Sequence, residues 1–416
     1  MLISLTEIIL LVIFLFMFGL TAYNLVILSV GVREILRRRH LKEHDGKHVK
    51  QCDFPFFSLI VPMKDEKKVG GRILEAMMRI DYPSDKYEVM VVDDGSVDGT
   101  SDICREYEDA YPDRIRYLRR NVSFGKAAAL NYGLKSAKGD IIGVFDADNV
   151  PEPDVLRNAA ECFMDRGVVA VQGLLSSINA EENMLTKFIH YEGLIQHYAF
   201  YSGKDKLGLF VSVAGTGQFV KREVLEEVGR WVDGALTEDM DLSARLTEKG
   251  YHVKFAPDVR SWQENTSKFS QFIKQRVRWN RGCMEVAFKY GKLLKHIDKR
   301  SFDAEVFFTG PFMMLFVLAT YVLGLYMTFV PFNFGVYVSL LTQFMSVLTL
   351  FTLSILGMAL AYTSNPRKIS NVQWLPFIYF YWAIEVFVAF YAFLQVIFRR
   401  PRKWAKTSRT GVITNQ

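Results

Sequence analysis

The chain has 416 residues, of which 50% are hydrophobic and 14% aromatic, and it carries a net charge of +6. This apolar content excludes a disordered chain, and four scattered cysteines, Cys52, Cys104, Cys162 and Cys283, with no CxxC pair exclude a disulfide scaffold or a cysteine zinc site. The basic excess gathers at Arg33 to Lys50 and Arg399 to Lys406, beside apolar segments, so it predicts membrane lipids as partners and no nucleic acid.

The first element is an apolar run, Ile8 to Val32, that contains no charged residue and outlasts the roughly 20 residues needed to cross a bilayer. Glu7 precedes it and Arg33, Arg37, Arg38 and Arg39 follow, the reverse of a signal peptide, whose shorter apolar part has its basic residues in front. Residues 1–33 therefore read as a retained membrane anchor with its C-terminal flank in the cytoplasm, and residues 34–53 as a basic linker.

From 54 to 265, short apolar runs alternate with helical stretches, which predicts one α/β domain on a mainly parallel sheet. Phe57–Val61, Val89–Val92, Ile115–Leu118, Ile141–Phe145 and Val168–Val171 read as strands; Val69–Arg79, Thr100–Tyr107, Lys126–Ser136 and Pro153–Phe163 read as helices. An amphipathic interface region at 266–302 follows, then a membrane block at 303–398 with spans near Val306–Val330, Gly335–Ala361 and Trp374–Ile397, and a basic tail at 399–416. Single crossings throughout would leave that tail outside, so one segment is expected to be re-entrant or interfacial. The last is the candidate, because Pro376 and Glu385 lie inside it; Glu385 either faces a water-filled path or pairs with a neighbouring helix.

Two of the strand runs end in acids, Asp93-Asp94-Gly95-Ser96 and Asp146-Ala147-Asp148, at the sheet edge where open α/β folds bind ligands. Carboxylates in a DxD pair suit a hard divalent cation, Mg²⁺ or Mn²⁺, that would neutralise a diphosphate. An acidic turn after a strand is also common, and Asp-Gly is an ordinary turn signal. Thr237-Glu238-Asp239 opens a helix, where acids partner the dipole, yet an ionised Asp239 within reach of a hydroxyl would act as a general base. Gln275-Arg276-Val277-Arg278-Trp279 joins arginines, which grip phosphate with a bidentate fork, to a tryptophan able to stack on a sugar; a membrane interface would suit the same residues.

Taken in order, the Asp, DxD, Thr-Glu-Asp and Gln-x-x-Arg-Trp elements resemble the processive family 2 glycosyltransferases, among them poly-N-acetylglucosamine, hyaluronan and cellulose synthases. The resemblance runs from about Ser58 to Glu285, supported by Val61-Pro62-Met63-Lys64-Asp65-Glu66, Gly125-Lys126-Ala127-Ala128-Ala129-Leu130-Asn131 and Gly215-Thr216-Gly217-Gln218. Poly-β-1,6-N-acetylglucosamine synthases look closest, on the short chain and the tail Lys403-Trp404-Ala405-Lys406-Thr407-Ser408-Arg409-Thr410-Gly411. Met63-Lys64-Asp65-Glu66 departs from the aromatic-Asn-Glu usual at the first strand end.

The resemblance implies an α/β domain of GT-A type flanked by transmembrane helices, with a UDP-sugar donor and Mg²⁺ or Mn²⁺. It implies an inverting hexosyltransferase that adds N-acetylglucosamine to a growing β-linked polysaccharide and exports it. Asp94 then looks like the nucleoside-binding aspartate, with Asp65 or Glu66 near the base and Lys126 near the diphosphate. Asp146 and Asp148 resemble the metal motif, with Asp148 the direct ligand, and Asp239 the catalytic base. Gln275, Arg276 and Arg278 fall on the diphosphate side; Gly215, Thr216, Gly217, Glu238 and Trp279 fall on the acceptor side. The protein would be a multi-pass cell-membrane enzyme with a cytoplasmic catalytic domain, any export or accessory subunit being left open. The alternative is a non-processive enzyme that adds one sugar to a lipid or polyprenyl phosphate.

Overall fold

The computed structural model describes residues 5–44, 54–291, 298–329, 335–364, 368–402 and 409–414. Cys52 and the rest of the expected linker beyond residue 44, Val330, residues 365–367 and the tail residues 403–408 lie outside these. Helix α1 (Leu5–His44) carries the first apolar run and continues past the expected end at Arg33. Its extension is rich in helix-forming Leu, Arg and Glu, and Glu34 takes Arg37 at 2.7 Å and Arg38 at 3.0 Å, one turn further on.

In the first half of the α/β domain, β1 (Phe57–Met63), α2 (Gly70–Met78), β2 (Tyr87–Asp94), α3 (Thr100–Ala110), β3 (Ile115–Arg120), α4 (Lys126–Ser136) and β4 (Ile141–Val144) alternate. There β1 pairs parallel with β2 and β4, and β2 with β3. Leu59, Ile60 and Val61 of β1 and Val89 to Val92 of β2 are all buried, as parallel strands covered by helices on both faces must be.

The chain continues through β5 (Asn149–Pro151), α5 (Val155–Phe163), β6 (Ala170–Ser177), α6 (Met184–Glu192), a π-helical turn (Gly193–Phe200) and α7 (Tyr201–Leu207). It then forms β7 (Gln218–Lys221), α8 (Arg222–Glu227), α9 (Glu238–Glu248) and β8 (Val253–Gln263). The strand order is β3-β2-β1-β4-β7-β6-β8-β5. β6 and β8 are parallel, whereas β7 runs antiparallel to both β4 and β6, and β5 antiparallel to β8. Winding reverses between β1 and β4, which opens a crevice at their C-terminal ends. Asp94 and Asp146 stand at that edge.

Beyond the sheet lie α10 (Phe269–Tyr290), α11 (Lys299–Phe308), α12 (Gly310–Phe329), α13 (Val336–Thr363) and α14 (Leu375–Ile397). Among the described residues, three helices, spanning Leu10–His40, Val336–Thr363 and Ile369–Ile397, are long and apolar enough to cross a membrane. A fourth span exists if α11 and α12, which meet at a 56° bend, count together. This bend lies in the first of the C-terminal segments, while the last, the expected re-entrant or interfacial candidate, is itself long and apolar enough to span. Pro311 explains the bend: without an N–H, it cannot continue α11 and instead starts a new helix. Pro376 sits harmlessly in the first turn of α14, and Glu385 pairs with Arg276 of α10 at 3.2 Å.

The N-terminal helix is part of the core. Leu28, Val32 and Ile35 belong to the same buried cluster as Ile60, Val144 and Leu242. A Cβ on Gly31 would strike the Ala199 carbonyl, and one on Gly203 would strike the Ile27 carbonyl. Glycine at both positions lets α1 and α7 cross backbone to backbone.

Candidate active site

The acidic strand ends and the C-terminal arginine-tryptophan segment converge on one cavity of about 440 Å³, within the usual size of ligand sites. Glu66, Asp94, Lys126, Asp146, Asp148, Thr216, Glu238, Asp239, Gln275, Arg278 and Trp279 line it. Asp65, Gly215, Gly217 and Arg276 are not on its wall.

Asp94 ends β2 and is almost fully buried. Its carboxylate accepts Ser123 Oγ at 2.6 Å and Gly125 N at 3.0 Å, and meets Arg120 at 3.2 Å. Its neighbour Asp93 faces the other way, taking Ser96 N, Ser101 Oγ and Tyr117 O–H, so it organises the loop after the strand. Asp65 likewise shapes a loop, and in a left-handed conformation (φ 51°) it accepts Val97 N at 2.8 Å.

Lys126 begins α4 and reaches the cavity centre. Its ammonium lies 2.7 Å from Asp146 and 3.1 Å from Glu238, and donates to Gly215 O at 2.9 Å. Burial alone would lower this ammonium, but Asp146 and Glu238 hold it above its ordinary range. Gly215 has φ 73°, and a Cβ there would come within 3.0 Å of Lys126 Nζ and 3.1 Å of Asp239 Oδ2. Glycine is thus required both by the backbone and by the space.

Asp239 lies in the first turn of α9, where Oδ1 accepts its neighbour's amide, Met240 N, at 2.9 Å. Burial and the adjacent Glu238 push its carboxyl up to about 7, against the pull of Lys126. Such a value fits a general base at neutral pH. Asp241 is structural, bound to Arg245 at 2.8 Å and Lys289 at 2.7 Å.

Asp146 and Asp148 suit a divalent cation by donor chemistry, and Asp148 Oδ2 is a buried oxygen with no aligned hydrogen-bond donor. Burial raises the Asp148 carboxyl; Arg409 opposes the shift, while Asp146 and Glu264 add to it. No cluster of three or more metal-ligating side chains occurs among the described residues. A cation here would therefore need oxygens from a diphosphate and water to complete its shell.

On α10, Gln275, Arg278 and Trp279 turn toward the cavity, and Arg278 donates to Leu236 O at 3.0 Å, next to the Thr-Glu-Asp turn. Gly282 brings the helix against Thr237, whose side chain any Cβ would strike. Arg276, expected on the diphosphate side, points the other way: i+1 from Gln275 lies about 100° around the helix. It pairs with Glu192 and Glu385, donates to Tyr381 Oη at 3.0 Å, and lies 4.7 Å from the Trp279 ring centre.

Several residues escape sequence reasoning. Gln172 accepts Ala214 N at 2.7 Å and donates to Gly173 O and Thr216 O, shaping the glycine turn. A lone polar residue in a buried strand was its signal. Met240, Cys283 and Phe307 add apolar lining, and Arg409 from the distant tail lines the cavity beside Asp148. Nothing in the local sequence marks Met240, Cys283 or Phe307, and the tail that holds Arg409 enters the sequence reading only through its resemblance, not as part of a site.

A sheet-edge crevice lined by paired acids, a half-buried lysine and the Thr-Glu-Asp turn is what a sugar-transferring enzyme of GT-A fold presents, and the comparisons establish that class. The chain belongs to the family described as "Glycosyltransferase like family 2", whose pattern matches residues 55–282. It is 30% identical to the probable glycosyltransferase YdaM of Bacillus subtilis, over 86% of this chain and 87% of that one. It is 31% identical to the beta-monoglucosyldiacylglycerol synthase of Nostoc, over 74% of this chain and 63% of that one. Among solved structures, a mannosyltransferase from Pyrobaculum calidifontis, in complex with GDP-Man and Mn²⁺, shares the fold. Its TM-score is 0.60 at 20% identity, covering 94% of this chain and 100% of that one. The expected kinship with poly-N-acetylglucosamine synthases holds at the level of family 2; the relatives named here are of other kinds.

Proposed function

We propose that this protein transfers one hexose from a UDP-sugar to a membrane lipid bearing a free hydroxyl, with inversion, to give a β-glycolipid. The observation that carries the reading is one cavity lined both by acids, Asp94, Asp146 and Asp148, and by apolar or aromatic side chains, Met240, Trp279, Cys283 and Phe307. Phe307 belongs to α11, which leads into the apolar helices. A diacylglycerol-like acceptor matches that apolar lining, and relatives named as glucosyldiacylglycerol synthases support it. The polysaccharide expected from the resemblance has less support than the lipid alternative.

Asp239 accepts the proton of the acceptor hydroxyl, whose oxygen attacks the anomeric carbon from the face opposite the departing UDP. Asp94 and Glu66 serve the nucleoside, while Lys126 and Arg278 offset charge on the diphosphate. When bound at Asp146 and Asp148, Mg²⁺ or Mn²⁺ supplies further neutralisation of the leaving group. Trp279 offers a flat face to the acceptor. Gly215, Thr216 and Gly217 form the turn beneath it, and Asp65 and Arg276 support the wall from behind. The basic residues that follow the apolar run within α1, Arg33 and Arg37 to Arg39, favour the cytoplasmic side for this domain.

The test is to incubate detergent-purified enzyme with labelled UDP-hexoses, Mn²⁺ and diacylglycerol. A single low-mass glycolipid is expected; a ladder or polymer made without lipid would overturn the reading.

A further inference from the structure

A short C-terminal strap, Arg409–Thr414, lies across the catalytic domain, and its docking is specific. Thr410 N donates to Glu264 Oε1 at 2.6 Å and Gly411 N to the same oxygen at 3.2 Å. Arg409 Nη1 donates to Glu264 O at 2.7 Å, and Thr414 N to Ile178 O at 2.9 Å. Gly411 makes the required turn at φ 78°. Glu264 is buried, and its other oxygen meets Arg72 at 3.2 Å; Arg72 also donates to Asp148 O at 3.3 Å. The strap is therefore latched to the acid pair through Glu264 and Arg72.

What the latch delivers is a guanidinium. The Arg409 side chain is 13% exposed, and its Nη2 stands 2.9 Å from Asp148 Oδ2. That contact is charge against charge, since Oδ2 has no aligned hydrogen bond. Lys126 Nζ likewise stands 2.7 Å from an Asp146 oxygen. Both acids of the pair are thus covered by cations of the protein itself.

We propose that Arg409 is a surrogate counter-ion that competes with the divalent cation for Asp148, so that the cation enters together with the nucleotide diphosphate and not alone. The inference rests on reading Asp146 and Asp148 as cation ligands. A metal ion ligated at about 2.0 to 2.6 Å and a guanidinium at hydrogen-bond distance cannot share one buried oxygen without strong repulsion. Two carboxylates alone offer too few ligands to displace the arginine. A diphosphate adds oxygens to the metal shell and gives the released guanidinium a phosphate to grip.

The experiment is a titration of Mn²⁺ into the full-length enzyme in detergent, without nucleotide, with free Mn²⁺ read by electron paramagnetic resonance. Arg409→Gln should bind Mn²⁺ about tenfold more tightly than the wild type. Thr410→Pro, which keeps Arg409 but removes an N–H from the latch, should move affinity the same way by a smaller factor. Added UDP should narrow the gap between Arg409→Gln and the wild type. Unchanged Mn²⁺ affinity in an Arg409→Gln protein that still binds UDP with Mn²⁺ overturns the inference alone. Absence of Mn²⁺ binding in every protein, even with UDP, overturns it together with the metal reading.

Discussion

Lys126 and Arg276 are both largely buried cations set between two carboxylates, yet one lines the cavity and the other turns its back on it. Lys126 lies between Asp146 and Glu238, on a wall that a ligand reaches. Arg276 lies between Glu192 and Glu385, with Tyr381 accepting at its edge and the Phe272 and Trp279 rings against its face. The first pairing can be exchanged when a diphosphate arrives, because phosphate oxygens can replace a carboxylate. The second joins α6, α10 and α14 and has no ligand to exchange with. Under the proposed function, similar local charge therefore serves chemistry in one place and assembly in the other.

The comparison is broken most severely at Asp239, the acid held near Lys126. Asp239→Asn should lower transfer by about 100-fold or more, while Mn²⁺-dependent UDP binding, followed by calorimetry, stays nearly unchanged. Because burial holds this carboxyl up at about 7, its base form appears as pH rises. In the substrate-free enzyme, kcat/KM should therefore climb with pH up to about 7 and level off above it. A profile flat from pH 5 to 8 would remove Asp239 from the role.

Arg276→Gln should act on folding. It leaves two carboxylates near the membrane interface without their cation, a loss of about 3 to 5 kcal/mol, seen as a lower thermal midpoint before any change in UDP affinity. Smaller again, Gly215→Ala should lose about 1 kcal/mol of stability, since alanine disfavours φ 73°. It should lower turnover as well, by crowding Lys126 and Asp239. The mildest change is Trp279→Ala, expected to raise acceptor KM by about 2- to 10-fold with donor KM little altered, the worth of a stacked ring.

Much of this was legible in the sequence where local chemistry and fold agree. The runs at β1, β2 and β4 are mostly apolar because both faces are covered, whereas edge strand β3 carries Arg116, Arg119 and Arg120; the acids that end β2 and follow β4 stand out against the buried runs. Helix α4 begins at Lys126 as read, after the glycine that permits its entry. By contrast, β8 carries Lys254, Asp258 and Arg260 on partly exposed positions, so its strand character depends on pairing with β6. The short β5 and β7 likewise owe their shape to their partners. At the site, Arg276 and Arg278 look equivalent in a five-residue motif; helical rotation and the carboxylates waiting on α6 and α14 separate them. Arg409 was invisible as a site residue because its partner Asp148 lies in another part of the chain.

The glycine crossing of α1 with α7 has a mechanical consequence. A helix interlocked with the sugar-transfer domain cannot act as a flexible tether. If α1 spans a membrane, as its length and apolar content allow, it would fix the height and tilt of the cleft above the lipid surface, so that the proposed acceptor would meet Asp239 at one constant depth. Widening Gly31 or Gly203 would then loosen the enzyme's aim before it touched any residue of the chemistry.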